Sequence, residues 1–298
     1  MSPAKPPDRA AFAAAVACFT LWGLFPPLFQ AVGRAGAGPW ELLAWRILAA
    51  LPTCAALMAV TGRGSDLAPL LRQPRALGAL AASSLLIGVN WGVFLWAVQN
   101  GETLATSLGY YINPLLNVAV GAVLFRERLG PAVKVAIGLA AAGVGLQALA
   151  VGGVPWIPLV LAFTFCGYGV IRKLVAVEPQ TGLFAETLAL APAAAGFVAW
   201  QAVHGAGAFG HSATATVLLL ACGPATVAPL VAFAMAARRL PLSLMGFLQF
   251  IQPTLVFAVG ALQGEPVTPL RLAAFGCIWA GVAVFVTGAW RGRRVSPA

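Results

Sequence analysis

Charge is scarce in this sequence. Of its 298 residues only 9% are charged and just 8 are acidic, where a soluble domain carries about 25% charged side chains. So few solvated groups cannot cover a water-facing surface, and a soluble globule is excluded. Catalytic frames are missing too. There is no GxSxG or HExxH, and no pair of carboxylates falls within one apolar run, which leaves no frame for a hydrolase or metallopeptidase. The 2 histidines, His204 and His211, share one polar segment with no acid nearby in sequence, so no metal site is expected. The literal GxGxxG of "GAGAFG" (205–210) follows no strand and does not read as a dinucleotide loop. The 5 cysteines (Cys18, Cys54, Cys166, Cys222, Cys277) stand singly, without CxxC or Cys/His spacing, and read as buried free thiols. No cofactor is expected.

What the sequence has instead is apolar length. Hydrophobic residues make up 60% of the chain, in successive runs of roughly 20, each long enough for about 30 Å of hydrocarbon. Backbone groups in lipid must be bonded within the segment, and these runs lack the alternation of barrel strands, so they are helices. Ten spans are expected, at 10–32, 40–60, 76–98, 103–124, 131–150, 156–174, 181–203, 213–236, 242–262 and 269–290. Short tails flank them, at 1–9 and 291–298, and connections rich in Gly, Pro and charge leave no room for a soluble domain. The first span is too long for a signal-peptide core and is read as retained.

The net charge of +10 invites a nucleic-acid reading, which its distribution rejects. Alternate connections hold Lys5, Arg9, Arg63, Arg72, Arg75, Arg126, Arg128, Lys134, Arg172, Lys173, Arg238, Arg239, Arg291, Arg293 and Arg294; the opposite ones hold Arg34 and Arg271. That asymmetry is the positive-inside pattern of a multi-pass protein of the bacterial inner membrane with both termini cytoplasmic. The partners expected are the lipid bilayer and a small-molecule solute, without nucleic acid, and a monomer would serve.

The chain also repeats itself. "AVGAV" at 119–123 matches "AVGAL" at 258–262, and Pro114 matches Pro253 at the same offset; beyond a one-residue slip, Gly138 matches Gly276 and Gly143 matches Gly281. Residues 10–150 and 151–290 are therefore read as two five-helix repeats. An odd number of spans per repeat inverts the second copy, which places a binding site between the halves. In both repeats a proline interrupts a span beside amides: Tyr110, Asn113 and Asn117 fall on one helical face next to Pro114, and Gln249 and Gln252 lie beside Pro253. Each proline frees the carbonyl four residues earlier, which membranes tolerate where it lines a cavity or is buried in protein. These residues are candidates for cavity lining and hinges.

Longer stretches resemble a known family. "PWELLAWRIL" (39–48), "IGVNWGVFLWAVQNGETLATSLGYYINPLLNVAVG" (87–121), "YGVIRK" (168–173), "VEPQTGLFAETL" (177–188) and "GFLQFIQPTLVF" (246–257) are similar to the drug/metabolite transporter superfamily, its EamA family and, within that, the RarD-type permeases. The resemblance implies an all-α polytopic membrane protein of ten transmembrane helices in two inverted-topology repeats, and transport across the inner membrane. One position departs from the related pattern, Trp45, where a histidine is usual.

Two ionisable residues sit well inside spans, Arg46 and Glu186, one repeat length apart. Intramembrane charge is costly and points to function. Arg46 is a candidate for a substrate carboxylate, Glu186 for an amine or a coupling proton, although both are near enough to span ends to reach water. Glu41 reads as an interfacial partner. Trp22, Trp91 and Tyr168 fall near span centres rather than in interface belts and are candidate cavity walls. Asn90 lies beside the Gly88/Gly92 pair, whose spacing suits close helix packing in the bundle. The expected function is alternating-access transport of a small amphipathic or zwitterionic solute. An intramembrane enzyme or a non-transporting scaffold is the alternative.

Overall fold

Proline and glycine punctuate the chain. Pro39, Pro74, Pro131, Pro179 and Pro269 each open a helix, where a fixed φ and a missing N–H carry no penalty. Gly152 and Gly205 close two of these helices at positive φ, 68° and 62°, a conformation a Cβ would oppose. The computed structural model describes residues 9–125, 130–237, 239–240, 245 and 248–295. Lys5, Arg126, Arg128 and Arg238, and most of the first third of the ninth expected span, lie outside the described residues.

Among the described residues, ten helical segments coincide with the apolar runs. They are α1 (Arg9–Arg34), α2 (Pro39–Val60), α3 (Pro74–Gln99), α4 (Thr103–Phe125), α5 (Pro131–Val151), α6 (Trp156–Leu174), α7 (Pro179–His204), α8 (Ala213–Ala237), α9 (Ile251–Leu262) and α10 (Pro269–Val295). Eight of them are long and apolar enough to cross a membrane, and α4 adds 23 residues of apolar helix. As described, α9 has only 12 residues, too few to cross by itself. A turn at Gln249–Phe250 precedes it, so Pro253 stands in the first turn of α9. The other expected hinge, Pro114, lies inside α4. A further break divides α1 at Leu24, just before Pro26 and Pro27, which cannot donate to the preceding turn.

The principal helix packings join the two halves of the chain. α5 packs on α10, α2 on α7 and α4 on α9; α1 packs on α8 and α9, α6 on α3 and α4, and α2 and α7 on α8 and α3. Advancing every label by five, with return to the start after ten, reproduces the same set. Gly143 and Gly281 carry the α5–α10 crossing. A Cβ on Gly143 would lie 2.7 Å from Ile278 Cγ1 and 2.8 Å from the Ala274 carbonyl oxygen, and one on Gly281 would lie 3.0 Å from the Ala136 carbonyl oxygen. Gly138 and Gly276, the other aligned pair, face open space. Gly88 and Gly92 of α3 receive Leu190 of α7 and Trp40 of α2, so that pair serves packing inside the bundle. Large exposed side chains such as Leu21, Phe163, Trp200, Val217 and Leu272 form the apolar exterior that lipid contact requires.

The two ends of the bundle are built differently. At the arginine-poor end, both Glu265 carboxylate oxygens accept the first amides of α4, from Thr103 at 2.7 Å and Leu104 at 2.8 Å. This caps donors that the helix itself leaves free. Gln30 donates to Gln263 at 2.7 Å, and a cavity of about 630 Å³ opens beside them. At the arginine-rich end, Thr61 donates to Gln180 at 3.1 Å and Arg63 lies 3.7 Å from Glu178, joining α2 to α7.

Candidate functional site

Arg46 points into the bundle and does not reach for water: it is 5% exposed. Its Nε–H donates to Thr226 Oγ1 of α8 at 2.8 Å. Three aromatic faces surround the guanidinium, Trp91 at 4.3 Å, Phe29 at 5.4 Å and Phe25 at 5.7 Å from Cζ. Such faces attract a cation, by about 2 kcal/mol when desolvated, which offsets part of the cost of burying it. Arg46 forms no ion pair among the described residues.

Glu186 is 2% exposed and lies in a polar knot. Ser83 of α3 donates to Oε1 at 2.5 Å, Tyr168 of α6 donates to Oε2 at 3.3 Å, and Arg172 Nε lies 3.7 Å from Oε1. Arg172, read from the sequence as a loop charge, lies in the last turn of α6 and turns inward across α7. Gly182 makes room for it, since a Cβ there would overlap the guanidinium. Trp91 separates the two charged centres. One face covers Arg46, and the same side chain lines a narrow cleft with Glu186 and Tyr168. At about 10 Å³ the cleft holds no more than one water.

The two centres are related by the repeat. Arg46 of α2 bonds α8, and Glu186 of α7 bonds α3, so each charged side chain crosses from one half to a hydroxyl of the other. Sequence reasoning reached Arg46, Glu186, Trp91 and Tyr168 and missed Thr226, Ser83, Phe25, Phe29 and Arg172. Small hydroxyls and phenylalanines in apolar runs carry no local signal, and an arginine at a span end reads as topology.

The remaining candidates separate. Asn90 is a cross-brace: it donates to Leu161 O and Thr164 Oγ1, both at 2.9 Å, and accepts the Tyr110 hydroxyl at 3.1 Å. Asn113 is buried, and its Oδ1 has no hydrogen-bond partner among the described residues. Asn117 is exposed, so the expected common face of Tyr110, Asn113 and Asn117 is divided between interior and exterior. Gln249 lies in the turn before α9 and Gln252 within the helix, both half-buried. Trp22 packs on Phe19 and Phe233. The proline segments meet each other, with Ser107 donating to Pro253 O at 2.8 Å and Tyr111 2.6 Å from Thr254 Oγ1.

The loop after α7 is held from α2. Glu41, 3% exposed, accepts the amides of Ala208 at 2.9 Å and Phe209 at 3.0 Å. The sequence had left this loop without an acid; the structure supplies one from α2. Trp45 stacks on Phe209 at 3.6 Å in the same corner.

A multi-pass helical protein whose buried charges bond across its two halves belongs among membrane proteins with an interior polar site. Comparison with known proteins narrows the class. A model of the EamA-like transporter family matches residues 9–148. The chain is 40% identical over 294 residues to an uncharacterised transporter of Pseudomonas aeruginosa, with 97% of each chain covered. It is 39% identical over 282 residues to a protein named RarD of Streptomyces exfoliatus, covering 94% of this chain and 89% of that one. It shares its fold with a solved crystal structure at a TM-score of 0.61 and 20% identity, over 94% of this chain and 98% of that one. The chain belongs to the EamA-like family of drug/metabolite transporters, with the RarD proteins among its relatives.

Proposed function

We propose that this transporter moves a small organic solute across the bacterial inner membrane by alternating access between two inverted five-helix repeats, 10–150 and 151–290. The observation that carries this reading is the cross-bonding of the halves at their charged centres, Arg46 to Thr226 and Glu186 to Ser83. Rocking one half on the other would make and break those contacts together. A cavity at the arginine-poor end and polar ties between α2 and α7 at the arginine-rich end fit a conformation open toward one side.

The ties offer a direct test. In a cysteine-free background, Thr61→Cys with Gln180→Cys, cross-linked by a short bifunctional thiol reagent, should stop solute movement in proteoliposomes, and reductive cleavage of a disulfide-containing linker should restore it. The assay uses a mixed panel of radiolabelled organic acids, amines and neutral solutes. Movement unaffected by the cross-link would exclude alternating access at this end, and movement of no solute would count against transport itself.

Cytoplasmic termini follow from the charge asymmetry. Gly153 and Gly64 are exposed in opposite loops, with open space at each Cβ position. Gly153→Cys is expected to react with an impermeant maleimide on the outer face of spheroplasts, and Gly64→Cys only after permeabilisation. The reverse pattern would invert the orientation.

A further inference from the structure

The interior charges do not balance. Of the acidic residues, Asp8 and Glu127 lie outside the described residues, and the other six are engaged away from Arg46. Glu41 holds loop amides, Glu265 caps α4, Asp66 and Glu178 face Arg63, Glu102 faces Arg271, and Glu186 faces Arg172. Arg46 is left as a buried cation whose Nε–H is used by Thr226 and whose two Nη groups have no hydrogen-bond partner among the described residues. Aromatic faces lower the cost of such a charge but do not neutralise it. An unpaired cation in a low-dielectric interior is costly enough that a counter-ion is expected.

We infer that the counter-ion is the transported solute, a monocarboxylate with an apolar or aromatic body, seated with its carboxylate on the Arg46 Nη edge and its body against Phe25, Phe29 and Trp91. This rests on the transport reading above and deepens it. The planar guanidinium edge matches a carboxylate's two oxygens, and the phenylalanine rings packed around it, buried in this conformation, bring no competing acceptors. An amine finds no free acid here, because Glu186 already has Arg172. The charge count therefore favours an anion over the zwitterion that Arg46 and Glu186 suggested as a sequence pair.

The test uses one body with three head groups: phenylacetate, phenylacetamide and phenethylamine. Phenylacetate should raise the melting temperature of the purified protein, while the amide and amine at equal concentration should not. Arg46→Gln, checked for monodispersity, should lose that response, and Arg46→Lys should weaken phenylacetate binding at least about ten-fold, because an ammonium keeps the charge and not the fork. The head-group comparison in the unmodified protein stands even if neither variant folds. An equal response to phenethylamine, no response to phenylacetate, or an undiminished response in Arg46→Gln would overturn the assignment. The same probes in proteoliposomes separate the two readings. Binding of the acid without its movement leaves the Arg46 site and removes the transport reading. Movement of the amine or amide with no effect of the acid does the opposite.

Discussion

Glu186→Gln should lower the stability of the purified protein by about 3 kcal/mol, the loss expected when one partner of a buried ion pair is removed and the other remains. The Arg172 side chain is 15% exposed, which places the effect toward the lower end of that range. The double variant Glu186→Gln/Arg172→Gln should recover most of the loss, since neither charge is then buried alone. Gly182→Ala should mimic the single variant by a different route, because its Cβ would occupy the place of the Arg172 guanidinium. Chemical denaturation in detergent with the full double-mutant cycle measures this coupling. Parental stability in Glu186→Gln would show that the pair contributes nothing. If that variant were also to lose accumulation driven by a proton gradient while keeping exchange, Glu186 would be the coupling group that the sequence suggested.

A still larger effect is expected at the α5–α10 crossing. Gly143→Leu should remove folded protein from the membrane, reducing its yield at least several-fold, because the new side chain would meet the Ala274 carbonyl as well as Ile278. Backbone cannot give way as a flexible side chain can. Overpacking in a closed core costs about 1–3 kcal/mol even when side chains can move. Gly138→Leu, on the same helix with open space at its Cβ position, should be close to the parent in yield and monodispersity. Equal tolerance of both substitutions, measured by fluorescence-detected size exclusion, would mean that the crossing is not held by close approach.

Much of the architecture was legible without coordinates, since it depends on local chemistry. Apolar length required helices, and proline at first turns set helix starts one or two residues earlier than hydropathy did, as at Pro39, Pro74 and Pro179. The repeat was readable at Gly143 and Gly281 because both must admit a neighbouring helix. Where several local signals conflicted, the sequence reading went astray. Leu24 marks an unexpected break before two prolines, and Gln249 was placed in a span whose described helix begins only at Ile251.

By itself the sequence determined the solvent and the helices, and it placed Arg46 and Glu186 in the interior, all of which follows from composition, periodicity and the cost of polar groups in lipid. Only the tertiary structure decided which partner each charge has. Arg172 could have faced solvent or Glu186, and Gly182 lets it turn inward. Arg46 could have met an acid and instead met three rings and Thr226. Pairing depends on which helices cross and at what depth, and that is set by the fit of glycines, prolines and rings across the two halves, a property no single span carries.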